Sequence, residues 1–303
     1  MLLHEDKQAF SDAILAVGQA LKIAPSIVEK DYYVTLILKN VNQKIPGLLF
    51  KGGTSLSKCY KIIDRFSEDI DLTLDDRHFT QSQKRNANKI MIDVCDKLGL
   101  EIANRETVEK HGHGNYNKYS IEYPILFPSD DIKPVVEAEM VFMLKAYPDE
   151  ERQADSLIGS WLIENGNQDA AAQYGLLPFS VQVQTLERTF VDKVFAICDY
   201  YLQNEPIRNS RHIYDVFRIL TKVRLSEELK PFIETVREER KHDKKCLSAM
   251  SGMSVTDLLR KIIETDFYKK DYINNTEKLL IHPVAYDESI VAVKKIADCG
   301  LFE

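Results

Sequence analysis

Lys51-Gly52-Gly53-Thr54-Ser55-Leu56-Ser57-Lys58, followed by Arg65-Phe66-Ser67-Glu68-Asp69-Ile70-Asp71-Leu72, is the stretch whose reading decides this chain. The apolar run Leu48-Leu49-Phe50 before it is long enough for a buried strand. Gly52 and Gly53 permit backbone angles that other residues avoid, and let the chain approach a ligand closely. Thr54 or Ser55 is placed to cap a helix over 54–63, in which Leu56, Tyr60 and Ile63 recur at helical spacing. A helix N-terminus presents unpaired N–H groups and partial positive charge, which suits phosphate. Alone, a Gly-Gly-Thr turn commonly does no more than start a helix.

The second half adds chemistry. Ile70, Leu72 and Leu74 alternate with Asp69, Asp71 and Thr73, so on a strand the two aspartates share one face and the apolar residues the other. Neighbouring carboxylates repel unless a cation lies between them. Mg²⁺ takes oxygen ligands, usually one or two carboxylates plus substrate phosphates. Two such ions about 3.5–4 Å apart stabilise both the attacking and the leaving oxygen of an in-line displacement. The competing reading of a D-x-D is an exposed edge strand with solvated aspartates. The glycine turn before it favours the metal.

Lys51 to Leu72 resembles the nucleotidyltransferase motif of the AbiEii/AbiGii toxin family, a branch of the DNA polymerase β-like superfamily. Three further segments match in family order. Val28-Glu29-Lys30-Asp31-Tyr32-Tyr33-Val34 is similar to the family's N-terminal "EKD-aromatic" helix. Leu186-Glu187-Arg188-Thr189-Phe190-Val191-Asp192-Lys193 is similar to its "ERTF-x-x-K" motif, and Ser210-Arg211-His212-Ile213-Tyr214-Asp215 to its "RHxYD" motif. Fourteen residues, 55–68, separate Thr54 from Asp69, longer than the usual superfamily spacing. Which residue of the turn touches phosphate is therefore open among Gly52, Gly53, Thr54 and Ser55.

The resemblance implies a Mg²⁺-dependent nucleotidyltransferase, with Mn²⁺ as a substitute ion and an NTP as substrate. Asp69 and Asp71 would hold metal. The superfamily has a third carboxylate on a neighbouring strand, here Glu139 or Glu137 in Val135-Val136-Glu137-Ala138-Glu139-Met140-Val141, with the family pattern favouring Glu139. Lys193 would contact the triphosphate, as a compact charge with three donors. Without the motif around it, Lys193 reads as a surface lysine paired with Glu187 or Asp192. Asp215 would lie beside the nucleotide, to orient the lysine or to take a proton from the attacking hydroxyl. By spacing alone it is an i, i+4 partner of Arg211. Arg65, Arg188, Arg211 and His212 are secondary candidates, as phosphate contacts or as ion-pair partners. Glu29, Lys30 and Asp31 brace the catalytic lobe in this reading.

The family implies a toxin of a toxin–antitoxin or abortive-infection (phage-defence) pair, with a cognate antitoxin and the 3′ end of tRNA as an acceptor. Two alternatives stand beside it: a small-molecule nucleotidyltransferase, such as an antibiotic-modifying enzyme, and a nucleotide-binding regulatory module without chemistry.

Along the chain, helices are expected over 5–22 and 26–41. There follow a strand near 48–51, a helix over 54–63, a strand over 69–75, a helix over 81–98, and strands over 100–106, 116–123 and 134–146. Pro148 with Asp149-Glu150-Glu151 marks a boundary. Helices follow over 155–165, 187–203, 209–224, 226–242, 254–266 and 285–298, with a short strand at 181–184. The fold class expected is α+β: a polymerase β-like mixed sheet with flanking helices in a lobe over 1–150, and a mainly helical lobe over 151–303. The motifs fall on both sides of the boundary, so the site is expected between lobes.

Composition is that of a soluble globular chain, 44% hydrophobic and 29% charged. No apolar run approaches the roughly 20 residues that span a bilayer, and the N-terminus does not resemble a signal peptide, so a cytoplasmic enzyme without membrane contact is expected. Cys59, Cys95, Cys198, Cys246 and Cys299 form no C-x-x-C pair and read as buried thiols in a reducing compartment. His111-Gly112-His113 lies in a Gly/Asn-rich stretch and reads as a loop rather than a metal site. A net charge of −7 is not the basic footprint of a protein that grips nucleic acid over a wide surface. An RNA acceptor would need local positive potential.

Overall fold

The structure is a computed structural model that describes residues 1–74, 80–111, 114–130, 132–142 and 146–303. Gly112 and His113 of the His-Gly-His segment lie outside the described residues. The chain divides into two units, Met1–Lys61 with Ser67–Val183, and Ile62–Phe66 with Gln184–Glu303.

Unit 1 carries, in order, α1 (Lys7–Leu21), α2 (Pro25–Asn42), β1 (Leu48–Lys51), α3 (Gly52–Lys58), β2 (Ile70–Leu74), α4 (Gln81–Lys97), β3 (Glu101–Ile102), α5 (Arg105–His111), β4 (Tyr116–Glu122), β5 (Val135–Val141), β6 (Asp149–Ala154), α6 (Leu157–Glu164), α7 (Gln168–Gln173) and β7 (Phe179–Gln184). The strands form one sheet in the order β3-β4-β5-β2-β1-β7-β6. β2 pairs antiparallel with β1 and parallel with β5, so the sheet is mixed and β2 is at its centre. With its flanking helices this is the α+β fold read from the sequence.

The alternation in β2 sets what each sheet face does. Ile70 and Leu72 are fully buried and lie opposite Ala138 and Met140 of β5, which are buried as well. Val34, Ile37, Leu38 and Val41 of α2 and Met91 and Val94 of α4 belong to the same core. Each fully buried Leu, Ile or Val contributes about 1.5–3 kcal/mol. The pleat therefore turns Asp71 to the opposite face.

Three local expectations need correction. The helix after the glycines stops at Lys58, so Tyr60 and Ile63 lie outside it. The N–H groups of Cys59 and Tyr60 both bond the Ser55 carbonyl, and Lys61 then takes a left-handed conformation at φ +55°. The strand expected over 100–106 pairs only at Glu101 and Ile102. Asn104 then inserts its amide into the ladder, donating to Lys118 O (2.8 Å) and accepting from Ser120 N (3.0 Å), and α5 begins at Arg105. The acidic stretch after Pro148 is itself a strand, β6, at the sheet edge.

Unit 2 is helical: α8 (Leu186–Leu202), α9 (Arg211–Ile219), α10 (Lys230–Arg240), α11 (Val255–Glu264), α12 (Lys269–Asp271) and α13 (Tyr286–Asp298). Phe190, Val194 and Ile197 of α8, Ile213 and Val216 of α9, Leu259 and Ile262 of α11 and Val293 and Ile296 of α13 are buried at helical spacing. The inserted segment Ile62–Phe66 is tied in by backbone bonds from Phe66 N to Leu279 O (3.1 Å) and from Ile281 N to Asp64 O (2.7 Å). The long spacing between Thr54 and Asp69 thus has a structural cause: the chain contributes five residues to the second unit on the way. Among the described residues, no single helix is long and apolar enough to cross a membrane.

Candidate active site

In unit 1 the site is built on the central strands. Asp71 lies opposite Lys51 of β1 on one side and opposite Glu139 of β5 on the other, and Glu139 lies opposite Lys118 of β4. Residues directly opposite share a face. Four charged side chains therefore form one row across four strands. Glu137 lies one alternation away, opposite Ser120. Asp69 immediately precedes β2.

Gly52 is fitted to Asp71. Its φ of +78° is left-handed, and a Cβ built there would fall 1.9 Å from Asp71 Oδ2. No other residue type leaves room for that carboxylate. Thr54 and Ser55 do not cap α3. Thr54 Oγ1 donates to Asp69 O (2.5 Å) and lies within hydrogen-bond distance of the Ser67 hydroxyl (3.0 Å), and Ser55 Oγ donates to Gly52 O (2.8 Å). Both residues are fully buried, whereas Gly52 and Gly53 are partly exposed. The Thr54 hydroxyl staples the turn to the backbone of the first aspartate, and only the two glycines face outward.

Lys118 Nζ lies 3.1 Å from Glu137 Oε2 and 3.4 Å from Glu139 Oε1. Burial draws this ammonium down, but the two glutamates outweigh it and hold it above the ordinary lysine value. Burial first, and then the charge of Glu139, pushes the Tyr116 hydroxyl up to about 12. Lys118 was missed in the sequence: it lies in no motif, and only the strand register brings it beside Glu139. Lys51 opens the glycine motif, but only the register shows that it lies opposite Asp71.

The three motif residues of α2 each fix a different segment of unit 1. Glu29 accepts from Leu126 N (2.7 Å) and Phe127 N (3.0 Å). Lys30 is fully buried, paired with Glu68 and bonded to Lys133 O (2.9 Å). Asp31 holds Lys58 Nζ (2.5 Å) at the end of α3 and accepts from Leu157 N (2.7 Å) at the start of α6. Lys30 thereby grips the residue next to Asp69.

In unit 2 the structure brings Lys193 of α8 to Asp215 of α9, with Nζ 2.6 Å from Oδ2. Asp215 is fully buried and also accepts from Arg65, Nε to Oδ1 at 2.7 Å and Nη2 to Oδ2 at 2.8 Å. Burial opposes the ionised carboxyl, but Arg65 and Lys193 overcome it and hold Asp215 far below the usual carboxylate range. So held, Asp215 suits orienting Lys193 and makes a poor proton acceptor. Burial, then Lys193 and Arg211, push the His212 imidazole well down, and its ring stacks on Tyr200. Arg188 serves structure: it is buried and pairs with Asp192 (3.1 Å) and Glu239 (2.7 Å).

A sheet that seats a glycine turn against an Asp-x-Asp strand, in a chain that also carries a buried Lys–Asp pair, has the make-up of a nucleotidyltransferase. The model of the family described as nucleotidyl transferase AbiEii toxin, type IV toxin–antitoxin system, matches residues 37–288. The chain belongs to this family, and is a nucleotidyltransferase of the toxin–antitoxin class. Among solved structures it is similar to MenT4, a nucleotidyltransferase toxin from Mycobacterium tuberculosis H37Rv. The TM-score is 0.54 and the identity 17%, over 94% of this chain and 88% of that one, which shows a shared fold. No curated protein matches the chain in sequence.

Proposed function

We propose that this chain is a cytoplasmic toxin, acting in phage defence by abortive infection, that transfers a nucleoside monophosphate from an NTP to the 3′ hydroxyl of tRNA and is neutralised by a cognate antitoxin. The observation that carries the reading is the seating of Asp71, against Gly52 and opposite Glu139, in a chain of the AbiEii family.

The residues fit Mg²⁺ by donor chemistry. Asp69, Asp71 and Glu139 are hard oxygen donors, with Glu137 the next along the strand. Among the described residues no three of His, Cys, Asp or Glu form a ready-made metal cage. Mg²⁺ needs none, because it usually completes its shell with water and phosphate oxygens. Bound there, it would neutralise phosphate charge and favour the ionised acceptor hydroxyl. Gly52 and Gly53 present backbone to the triphosphate. Lys193 binds its oxygens; burial draws its ammonium below the ordinary lysine value, and Asp215 opposes that shift and aims the group. The acceptor oxygen bonds to the α-phosphorus, the α–β phosphoanhydride bond breaks, pyrophosphate leaves and the hydroxyl proton passes to solvent.

The net charge of −7 favours a second reading, a small-molecule acceptor. Incubation with each labelled NTP, with and without total tRNA, separates the two. Label on RNA is expected. Label confined to a small acceptor would overturn the tRNA assignment.

A further inference from the structure

The acidic row of unit 1 contains a cation that the proposed reaction does not use. Lys118 lies opposite Glu139, which lies opposite Asp71. Its ammonium lies within salt-bridge range of both Glu137 and Glu139, at 3.1 and 3.4 Å. Glu137 and Glu139 are two residues apart on one strand, so their carboxylates leave the same face and repel each other. Glu137 is only 8% exposed and takes a further bond from Ser120 Oγ (3.3 Å). Glu139 is more open, its side chain 29% exposed, and it bonds the Tyr116 hydroxyl. Lys118 itself is 41% exposed, on a flexible four-carbon stem that can withdraw into water at little cost. Glu139 is therefore at once the carboxylate nearest in register to Asp71 and a partner of a mobile monovalent cation.

We propose that Lys118 is a resident counter-ion that competes with the divalent cation for Glu139. It holds the acidic row together in the metal-free protein, and it yields Glu139 when a divalent ion arrives at Asp69 and Asp71. The competition sets the metal concentration at which the site fills. The proposal rests on the reading that Asp69 and Asp71 bind a divalent cation.

The test uses Mn²⁺ alone as the probe, with the full chain, reading binding by calorimetry and melting with and without the ion. Lys118→Met keeps the stem and removes the charge. It is expected to bind Mn²⁺ roughly fivefold more tightly, since a partly exposed ion pair no longer competes. It is also expected to melt lower than wild type without metal, and to gain more from added Mn²⁺. Lys118→Arg retains the competing charge and is expected to keep wild-type affinity. Asp69→Asn serves as the control. If it loses Mn²⁺ binding while Lys118→Met binds no more tightly than wild type, the competition is overturned and the metal site stands. If Asp69→Asn binds Mn²⁺ as wild type does, the metal reading falls, and the competition with it.

Discussion

Asp71 and Asp215 are both motif aspartates, yet their surroundings are opposite in kind. Asp71 is part-exposed, in a row with Glu139 as its strand neighbour, and is packed so closely that a methyl group on Gly52 has no room. Asp215 is fully buried between Arg65 and Lys193, with both oxygens engaged. Like charges crowded on a strand face cost stability and make sense when a cation is to be bound. A saturated buried carboxylate contributes to the fold and to the aim of its lysine. The two carboxylates should therefore respond differently to mutation: loss of Asp71 should remove activity with little loss of fold, and loss of Asp215 should weaken both.

The largest stability effect is expected at Arg65. Arg65→Ala leaves Asp215 buried with half its partners, and removing one member of such a pair costs about 3–5 kcal/mol. Chemical denaturation reads this directly, and an unchanged midpoint would break the contrast. Glu29→Ala strips two backbone N–H groups of a charged acceptor and should cost about 1.5–3 kcal/mol in the same measurement. Gly52→Ala forces a left-handed alanine and displaces the Asp71 carboxylate, for about 1–3 kcal/mol. Its diagnostic readout is label transfer, which should fall further than the melting temperature suggests.

The smallest effect concerns pH. His212 has a folded pKa well below its ordinary value of 6.5, so the unfolded chain takes up this proton first. Its contribution is complete above about pH 6.5 and is lost as the pH falls below that value. His212→Gln should flatten the stability profile between pH 7 and 5. The same slope in both proteins would show that the imidazole is not held neutral.

Much of the fold was legible in the sequence because it rests on local patterns. The β2 alternation, the helical spacing of Phe190, Val194 and Ile197 in α8, and the paired glycines are properties of short windows. What was not legible depends on pairing partners. β6, with Asp149-Glu150-Glu151-Arg152, has no apolar alternation, because an edge strand with an exposed middle needs none. The end of β3 is decided by Asn104 bonding to β4, and the end of α3 by a left-handed Lys61. Lys118 joins the site only through register. The motif residues Lys193 and Asp215 were identified by resemblance, and by spacing alone Asp215 pointed to Arg211, while its buried partner Arg65 lies 150 residues away in the chain.

The central claim is that Asp69 and Asp71 drive nucleotidyl transfer, and Asp69→Ala tests it most directly. The measurement pairs label transfer from NTP with growth arrest on expression, using protein whose melting temperature matches wild type. The account predicts that transfer falls by at least about 10²–10³-fold and that toxicity disappears while the fold persists. A folded Asp69→Ala protein that still transferred label or still arrested growth would contradict it.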